Sequence, residues 1–279
     1  MRTITQDGIR AFGEYLAGEE KSGATLVRYL HDLEVFRQWM GGNPVGKDAI
    51  LSYKAALVKR YSVASVNSIL SSLNSFFRFQ GWDDLCVRAL RVQKQLFSQN
   101  DRELSQAEYK RLLAAAQARK NERLYLLIQT ICSTGIRVSE VRFITVAAIK
   151  SEVAEVDNKG KRRRVYLPRD LCRLLHDYCR RKGLTSGPVF ITRGGKPLDR
   201  SNIWSDMKKL CQAACVSAKK VFPHNLRHLF ARTFYNLRKD IVRLADILGH
   251  SSVNTTRIYT MESGEIHRKQ IQKLGLLRC

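Results

Sequence analysis

The sequence predicts a mainly α chain of two domains: an N-terminal helical bundle, then a mixed, mostly helical domain carrying one small β-hairpin. Apolar residues recur at three- and four-residue steps over most of the chain. A polar stretch from Ser98 to Arg102 separates two such regions. Convincing strand signals flank a single turn-forming run, Asp157-Asn158-Lys159-Gly160-Lys161. With 279 residues in total, each part is long enough to bury a core of its own.

In the first domain, residues 1–97, a short helix carries Ile9, Phe12 and Leu16. A longer one places Leu26, Tyr29, Leu30, Leu33, Phe36, Trp39 and Met40 on one face, and Gly41-Gly42-Asn43-Pro44 stops it. A third helix is expected over about 47–60, and a fourth through Val66, Ile69, Leu70, Leu73, Phe76 and Phe77, ending at Gly81. Four short amphipathic helices can close a small bundle. Helical spacing makes Phe76, Phe77 and Phe79 core residues rather than rings that stack on bases.

A linker is expected at 98–103 and a second domain at 104–279. Ser105-Gln106-Ala107-Glu108 has the capping-box pattern that opens a helix containing Leu112 and Leu113. The next helix, about 122–133, ends at Thr134-Gly135. Strands at 153–156 and 164–167 flank the turn. Helices follow at about 170–182, 200–215, 225–237 and 241–248, with Gly249 placed as the last one's C-cap. An amphipathic segment, 265–274, trails the domain.

The net charge is +24, of which +20 falls in residues 98–279. A 44% hydrophobic content excludes a disordered polyelectrolyte, so the asymmetry points to a polyanionic partner, with nucleic acid ahead of an anionic membrane surface. No apolar run reaches the length of a membrane span, and MRTITQDGIR lacks the apolar stretch of a signal peptide. Seven cysteines without a CxxC pair read as thiols in a reducing cytosol, and a cytoplasmic protein is expected. Cys211 and Cys215 have no nearby His to complete a metal site.

Nucleotide-binding GxxxxGK[ST], HExxH and GxSxG are all absent. The acidic pair Asp83-Asp84 has no second cluster around it, so ATP use and two-metal nuclease chemistry lack their usual parts. What remains is a set of cations and hydrogen-bond donors. His224 and Arg227 lie three apart at a helix start and point the same way. Arg137 leaves a helix after Gly135, His250 follows the Gly249 cap, Tyr259 lies nine positions beyond, and Lys159 sits at the hairpin tip. Phosphoryl transfer on DNA makes sense of the combination. Two forked guanidiniums stabilise the charge on the non-bridging oxygens without a metal. A tyrosine hydroxyl can serve as nucleophile and a mobile lysine can protonate the departing 5′ oxygen. The covalent phosphotyrosine keeps the bond energy, so resealing needs neither nucleotide nor cofactor.

Thr134-Gly135-Ile136-Arg137-Val138-Ser139-Glu140, Lys159-Gly160-Lys161, His224-Asn225-Leu226-Arg227-His228, Leu248-Gly249-His250 and Tyr259 stand in this order along the second domain. Together they resemble the tyrosine recombinases of the phage-integrase and Xer type. The first domain resembles that family's SAM-like core-binding domain in pattern rather than by a motif. The resemblance implies Tyr259 as nucleophile, Arg137 and Arg227 as phosphate clamp and Lys159 as general acid, with Lys161 the nearest competitor for that role. It implies that His224 assists proton transfer at the nucleophile and that His250 hydrogen-bonds the scissile phosphate. Glu140 is expected to buttress the Arg137 segment. His228, one residue past Arg227, is expected on another helix face and is left out. Lys161, Arg162, Arg163 and Arg164 are expected to contact DNA phosphates from the hairpin, with Lys208-Lys209 and Lys219-Lys220 as further candidates.

The resemblance further implies a C-shaped clamp on duplex DNA, and four protomers that exchange strands through a Holliday junction. The free chain is expected to be a monomer, and no membrane contact is expected. The 265–274 segment would dock on a neighbouring protomer, although from sequence it could equally fold onto its own domain. Larger integrases carry an extra N-terminal arm-binding domain. The opening on the helical bundle suggests short crossover sites and leaves open a need for an accessory DNA-bending protein. Three other classes fit parts of the pattern: a type IB topoisomerase, a non-catalytic DNA-binding protein of the same fold, and a basic membrane-surface protein.

Overall fold

Four helices build the first unit of the chain: α1 (Gln6–Gly18), α2 (Gly23–Met40), α3 (Lys47–Arg60) and α4 (Val63–Phe79). The computed structural model describes residues 2–91, 102–158, 161–259 and 272–273, and it divides into two units, Met1–Lys94 and Gln95–Cys279. Side-chain oxygens of Thr5, Ser22 and Ser62 cap the starts of α1, α2 and α4. Gly41, in the left-handed conformation, ends α2. Phe12, Leu16, Leu33, Phe36, Ile50, Leu70, Phe76 and Phe77 are buried together, as their spacing predicts. Trp39 departs from that prediction. It is 45% exposed and rests on Tyr53 at the rim of the core, because α2 buries only Leu33, Phe36 and Met40 fully. Two asparagines, two turns apart on α4, hold the chain as it leaves the bundle. Asn74 exchanges bonds with Val87 and Asn67 with Leu90, each pairing both the backbone N–H and the C=O.

The second unit opens with α5 (Gln106–Ala118), whose Ser105–Glu108 capping box is formed in full. It continues through α6 (Glu122–Thr134), a 3-10 segment (Val138–Phe143) and α7 (Val146–Ser151). Strands β1 (Val153–Asn158) and β2 (Lys161–Tyr166) form an antiparallel two-stranded sheet, with Val153 opposite Tyr166 and Val156 opposite Arg163. They run closer to the turn than predicted. After them come α8 (Arg169–Lys182), α9 (Arg200–Lys208), α10 (Pro223–Arg238), α11 (Ile241–Leu248), α12 (Val253–Thr256) and a 3-10 turn (Arg257–Tyr259). Its main core gathers α5, α6, both strands, α8 and α9 around Leu112, Ile128, Ile131, Val156, Leu175 and Ile203. A smaller cluster joins Ala231, Leu244, Leu248 and Tyr259.

The single helix expected over 200–215 stops at Lys208. Beyond it, Arg119, at the C-cap of α5, donates to Lys209 O, and Arg111 of α5 donates to Ala214 O and Cys215 O. The chain coils into turns there, and Cys215 adopts φ 50°. Most of the linker expected at 98–103, Lys159 with Gly160, and most of the 265–274 segment lie outside the described residues. Among the described residues, no helix is long and apolar enough to cross a membrane.

Candidate active site

The last carbonyls of α11 organise the site. Arg163 Nη1 donates to Ile247 O (2.8 Å), Arg227 Nη2 to Leu248 O (2.7 Å) and Arg137 Nη2 to Gly249 O (2.8 Å). Helix C-terminal carbonyls lack intrahelical partners and carry the negative end of the dipole, so three cations converge on them favourably. Gly249 permits the approach. Its φ is 63°, and a Cβ there would lie 2.9 Å from Arg163 Nε, with Cδ closer still.

Each arginine is fixed a second time. Glu140, 1% exposed beneath the cluster, accepts from the Arg137 backbone N–H (2.9 Å), from Arg137 Nη1 (2.9 Å) and from Arg163 Nη2 (2.6 Å). Burial pushes the Glu140 carboxyl upward, but the Arg137 backbone N–H and the Arg163 guanidinium outweigh it and hold the pKa below the ordinary value. Arg227, 2% exposed, donates through Nη1 to Gly135 O at 2.6 Å. Gly135 closes α6 at φ 64°, and a Cβ there would meet the Phe230 ring, with Cε1 at 2.7 Å. Burial, followed by the Arg137 charge, pulls the Arg227 pKa down to about 10, while Tyr259 acts in the opposite sense through its charge and as a hydrogen-bond partner. The guanidinium is therefore cationic at neutral pH.

A string of aromatic rings runs alongside. His250 Nε2 lies 3.1 Å from Arg227 Nη2, and its Nδ1 is 2.9 Å from the hydroxyl of Thr256. The His250 and Tyr259 rings stack at 5.9 Å and 16°. Tyr259, 3% exposed, also meets His228 edge-to-face at 4.6 Å, and His228 meets His224 in the same way at 4.4 Å. Burial first, then neighbouring charges, pull both His228 and His250 down to about 4. Desolvation, then the charges of Arg227, Arg200 and Arg137, lower His224 as well. A cleft of about 360 Å³ opens onto Arg137, His224, Arg227 and His250, with Arg200 and Trp204 of α9 on its other wall.

Arg137, His224, Arg227, His250 and Tyr259 thus gather in one place within one chain. Lys159 lies outside the described residues, and nothing is described of the Lys161 side chain. Arg162 and Arg164 project outward from β2, with side chains 90% and 70% exposed. Arg163 does not join them. Strand alternation turns it inward onto Glu140 and Ile247 O, at 14% exposure, and removes it from the expected phosphate contacts. His228 corrects a second expectation. It stands four residues after His224, one turn on, and so shares the His224 face and touches Tyr259. That i, i+4 spacing was the available signal. Thr256 carried no signal of its own. Among the described residues, no group of three His, Cys, Asp or Glu side chains is placed to hold a metal ion.

Comparison with known proteins adds a second line. Residues 102–265 match the phage integrase family model, and residues 9–83 match the phage integrase N-terminal SAM-like domain. The chain belongs to the phage integrase family of tyrosine recombinases. Tyrosine recombinase XerA of Pyrococcus furiosus is 28% identical over 286 residues, covering 99% of this chain and 96% of that protein. Tyrosine recombinase XerD of Pseudomonas aeruginosa is 30% identical over 272 residues, covering 90% and 89%. In fold, this integrase-family chain superposes on a lambda integrase tetramer bound to a Holliday junction with a TM-score of 0.74 at 19% identity, covering 92% of this chain and 77% of that one.

Proposed function

We propose that this site-specific DNA recombinase cuts and rejoins strands through a covalent 3′-phosphotyrosine. The Tyr259 hydroxyl oxygen attacks the scissile phosphorus and loses its proton with help from His224. The P–O5′ bond breaks as the O–P bond to tyrosine forms, and the departing 5′ oxygen takes a proton from Lys159. Arg137 and Arg227 hold the two non-bridging oxygens, and His250 hydrogen-bonds the phosphate. A 5′ hydroxyl from the partner strand then attacks the phosphotyrosine and releases the enzyme. The observation that carries this reading is the seating of Tyr259, within its own chain, beside Arg227 and between His228 and His250.

Residues 1–97 are read as the core-binding domain, 98–103 as the linker and 104–279 as the catalytic domain. Arg162 and Arg164, together with Lys161, are read as backbone contacts, which makes binding fall steeply with salt. Four protomers on two duplex sites, by analogy with the lambda integrase tetramer, would form from a free monomer in the cytoplasm. A topoisomerase reading is not favoured, because the recombinases XerA and XerD match over nearly the whole chain.

The DNA joined covalently to the protein in its host, once recovered and sequenced, names the crossover site. A nicked suicide duplex of that sequence then tests the chemistry. Wild-type protein accumulates adduct, whereas Tyr259→Phe binds the duplex and forms none. Adduct at normal yield from that variant would remove Tyr259 from its role.

A further inference from the structure

A guanidinium donates hydrogen bonds and does not accept them. Arg227 Nη2 faces His250 Nε2 at 3.1 Å, so Nε2 is the bare, accepting nitrogen and the imidazole proton sits on Nδ1. The Nδ1–H then donates to Thr256 Oγ1 at 2.9 Å. This tautomer does not suit a phosphate. An anionic oxygen entering beside Arg227 needs a donor, and Nε2 has no proton to give. A carboxylate or carbonyl at Nδ1 would lock the ring in this state, since such a group only accepts. A hydroxyl accepts or donates according to its rotation. Thr256 is fully buried on α12, three residues before Tyr259, so its hydroxyl is dedicated to the protein interior.

We propose that Thr256 is a positioning residue that lets His250 exchange tautomers when a phosphate enters the clamp. Arg227 Nη2 turns from His250 to a phosphate oxygen. His250 gives its Nδ1 proton to solvent and takes another from solvent at Nε2, which then donates to the phosphate. The Thr256 hydroxyl rotates and donates to the bare Nδ1. The ring is neutral before and after, so no net proton is taken up. The low His250 pKa, about 4, fits this, because the cationic ring that could donate from both nitrogens is scarce at neutral pH. The inference rests on the reading of a scissile phosphate held by Arg137 and Arg227.

Nitrogen-15 NMR of labelled histidine reads the tautomer directly. The free protein shows His250 protonated at Nδ1, and the Tyr259→Phe protein bound to the recovered duplex shows it protonated at Nε2. The same tautomer in both states overturns the inference. Single-turnover cleavage gives an independent arm. Thr256→Ser keeps both hydroxyl roles and stays within about threefold of wild type, whereas the isosteric Thr256→Val slows cleavage about tenfold or more at unchanged DNA affinity. A valine variant as fast as wild type, or a serine variant as slow as valine, overturns it. If the valine variant does not fold, the two spectra decide alone. Wild-type protein that forms no adduct refutes the recombination reading and this inference with it. Wild-type adduct with an unchanged tautomer refutes this inference only.

Discussion

Gly135→Ala places one methyl group at the junction between α6 and the arginine clamp. The residue sits at φ 64°, and its new Cβ would lie 2.7 Å from Phe230 Cε1. Carbon atoms in ordinary contact are about 3.5–4.0 Å apart, so ring and backbone must separate by about 1 Å. The left-handed conformation costs an alanine about 1–2 kcal/mol, and forcing a methyl against a packed ring adds about 1–3 kcal/mol. The sum, about 2–5 kcal/mol, lowers the melting temperature of a unit this size by roughly 5–20 °C. The carbonyl of Gly135 accepts from Arg227, and Arg137 follows two residues later. A displacement of that size near reacting groups costs about a hundredfold in rate. The assay is thermal melting together with single-turnover cleavage of the suicide duplex, alone and with Phe230→Ala. Trimming the ring relieves the overlap but not the backbone strain, so the double mutant should be less destabilised than the two single effects added together. A variant that melts within about 1 °C of wild type, well short of the roughly 5–20 °C expected, and cleaves at the normal rate would refute the reasoning.

Glu140→Gln removes the carboxylate shared by Arg137 and Arg163, and unpairing a buried charge costs about 3–5 kcal/mol. It should show as a lowered midpoint in a denaturant titration and as slower cleavage. The depressed pKa values of His228 and His250 mean that the unfolded chain binds protons that the folded chain does not. Their contribution to stability is complete above about pH 6.5 and is lost as pH falls towards about 4. His228→Phe should therefore flatten the melting temperature between about pH 6.5 and pH 5. Lys159→Ala should slow cleavage of a normal duplex and recover with a 5′-bridging phosphorothioate, whose leaving group needs no proton. Absence of recovery would pass the general-acid role to Lys161 for testing.

Much of this architecture was legible because local chemistry and tertiary structure agree. The Ser105–Glu108 box and the glycines at 41, 135 and 249 act on the backbone within a few residues, and the helices begin and end where they say. The motif residues around Arg137, His224, Arg227, His250 and Tyr259 do converge. What escaped depends on partners distant in sequence. The turns after α9 are held by Arg111 and Arg119, about a hundred residues earlier. The inward turn of Arg163 follows strand parity, but its acceptors lie on the 3-10 segment and on α11. Trp39 shares the periodicity of its buried neighbours and still lies at the rim, since the width of the core sets how much of an apolar stripe is covered.

The pairing of the arginines explains how the clamp keeps its charge for DNA. Arg163 and Arg137 both bond the single carboxylate of Glu140, so that pair of guanidiniums shares one negative charge. Arg227 instead bonds neutral groups, among them Gly135 O, Leu248 O and His250 Nε2. A carboxylate in their place would hold Arg227 more tightly and would cancel the charge that a phosphate needs. Carbonyls at the end of a helix orient the guanidinium and stabilise it through the dipole while leaving the positive charge formally unpaired. The effect is felt at His250, His228 and His224, whose pKa values are all lowered in part by Arg227. The same arrangement therefore holds a fixed cation ready for the scissile phosphate and keeps the surrounding imidazoles neutral.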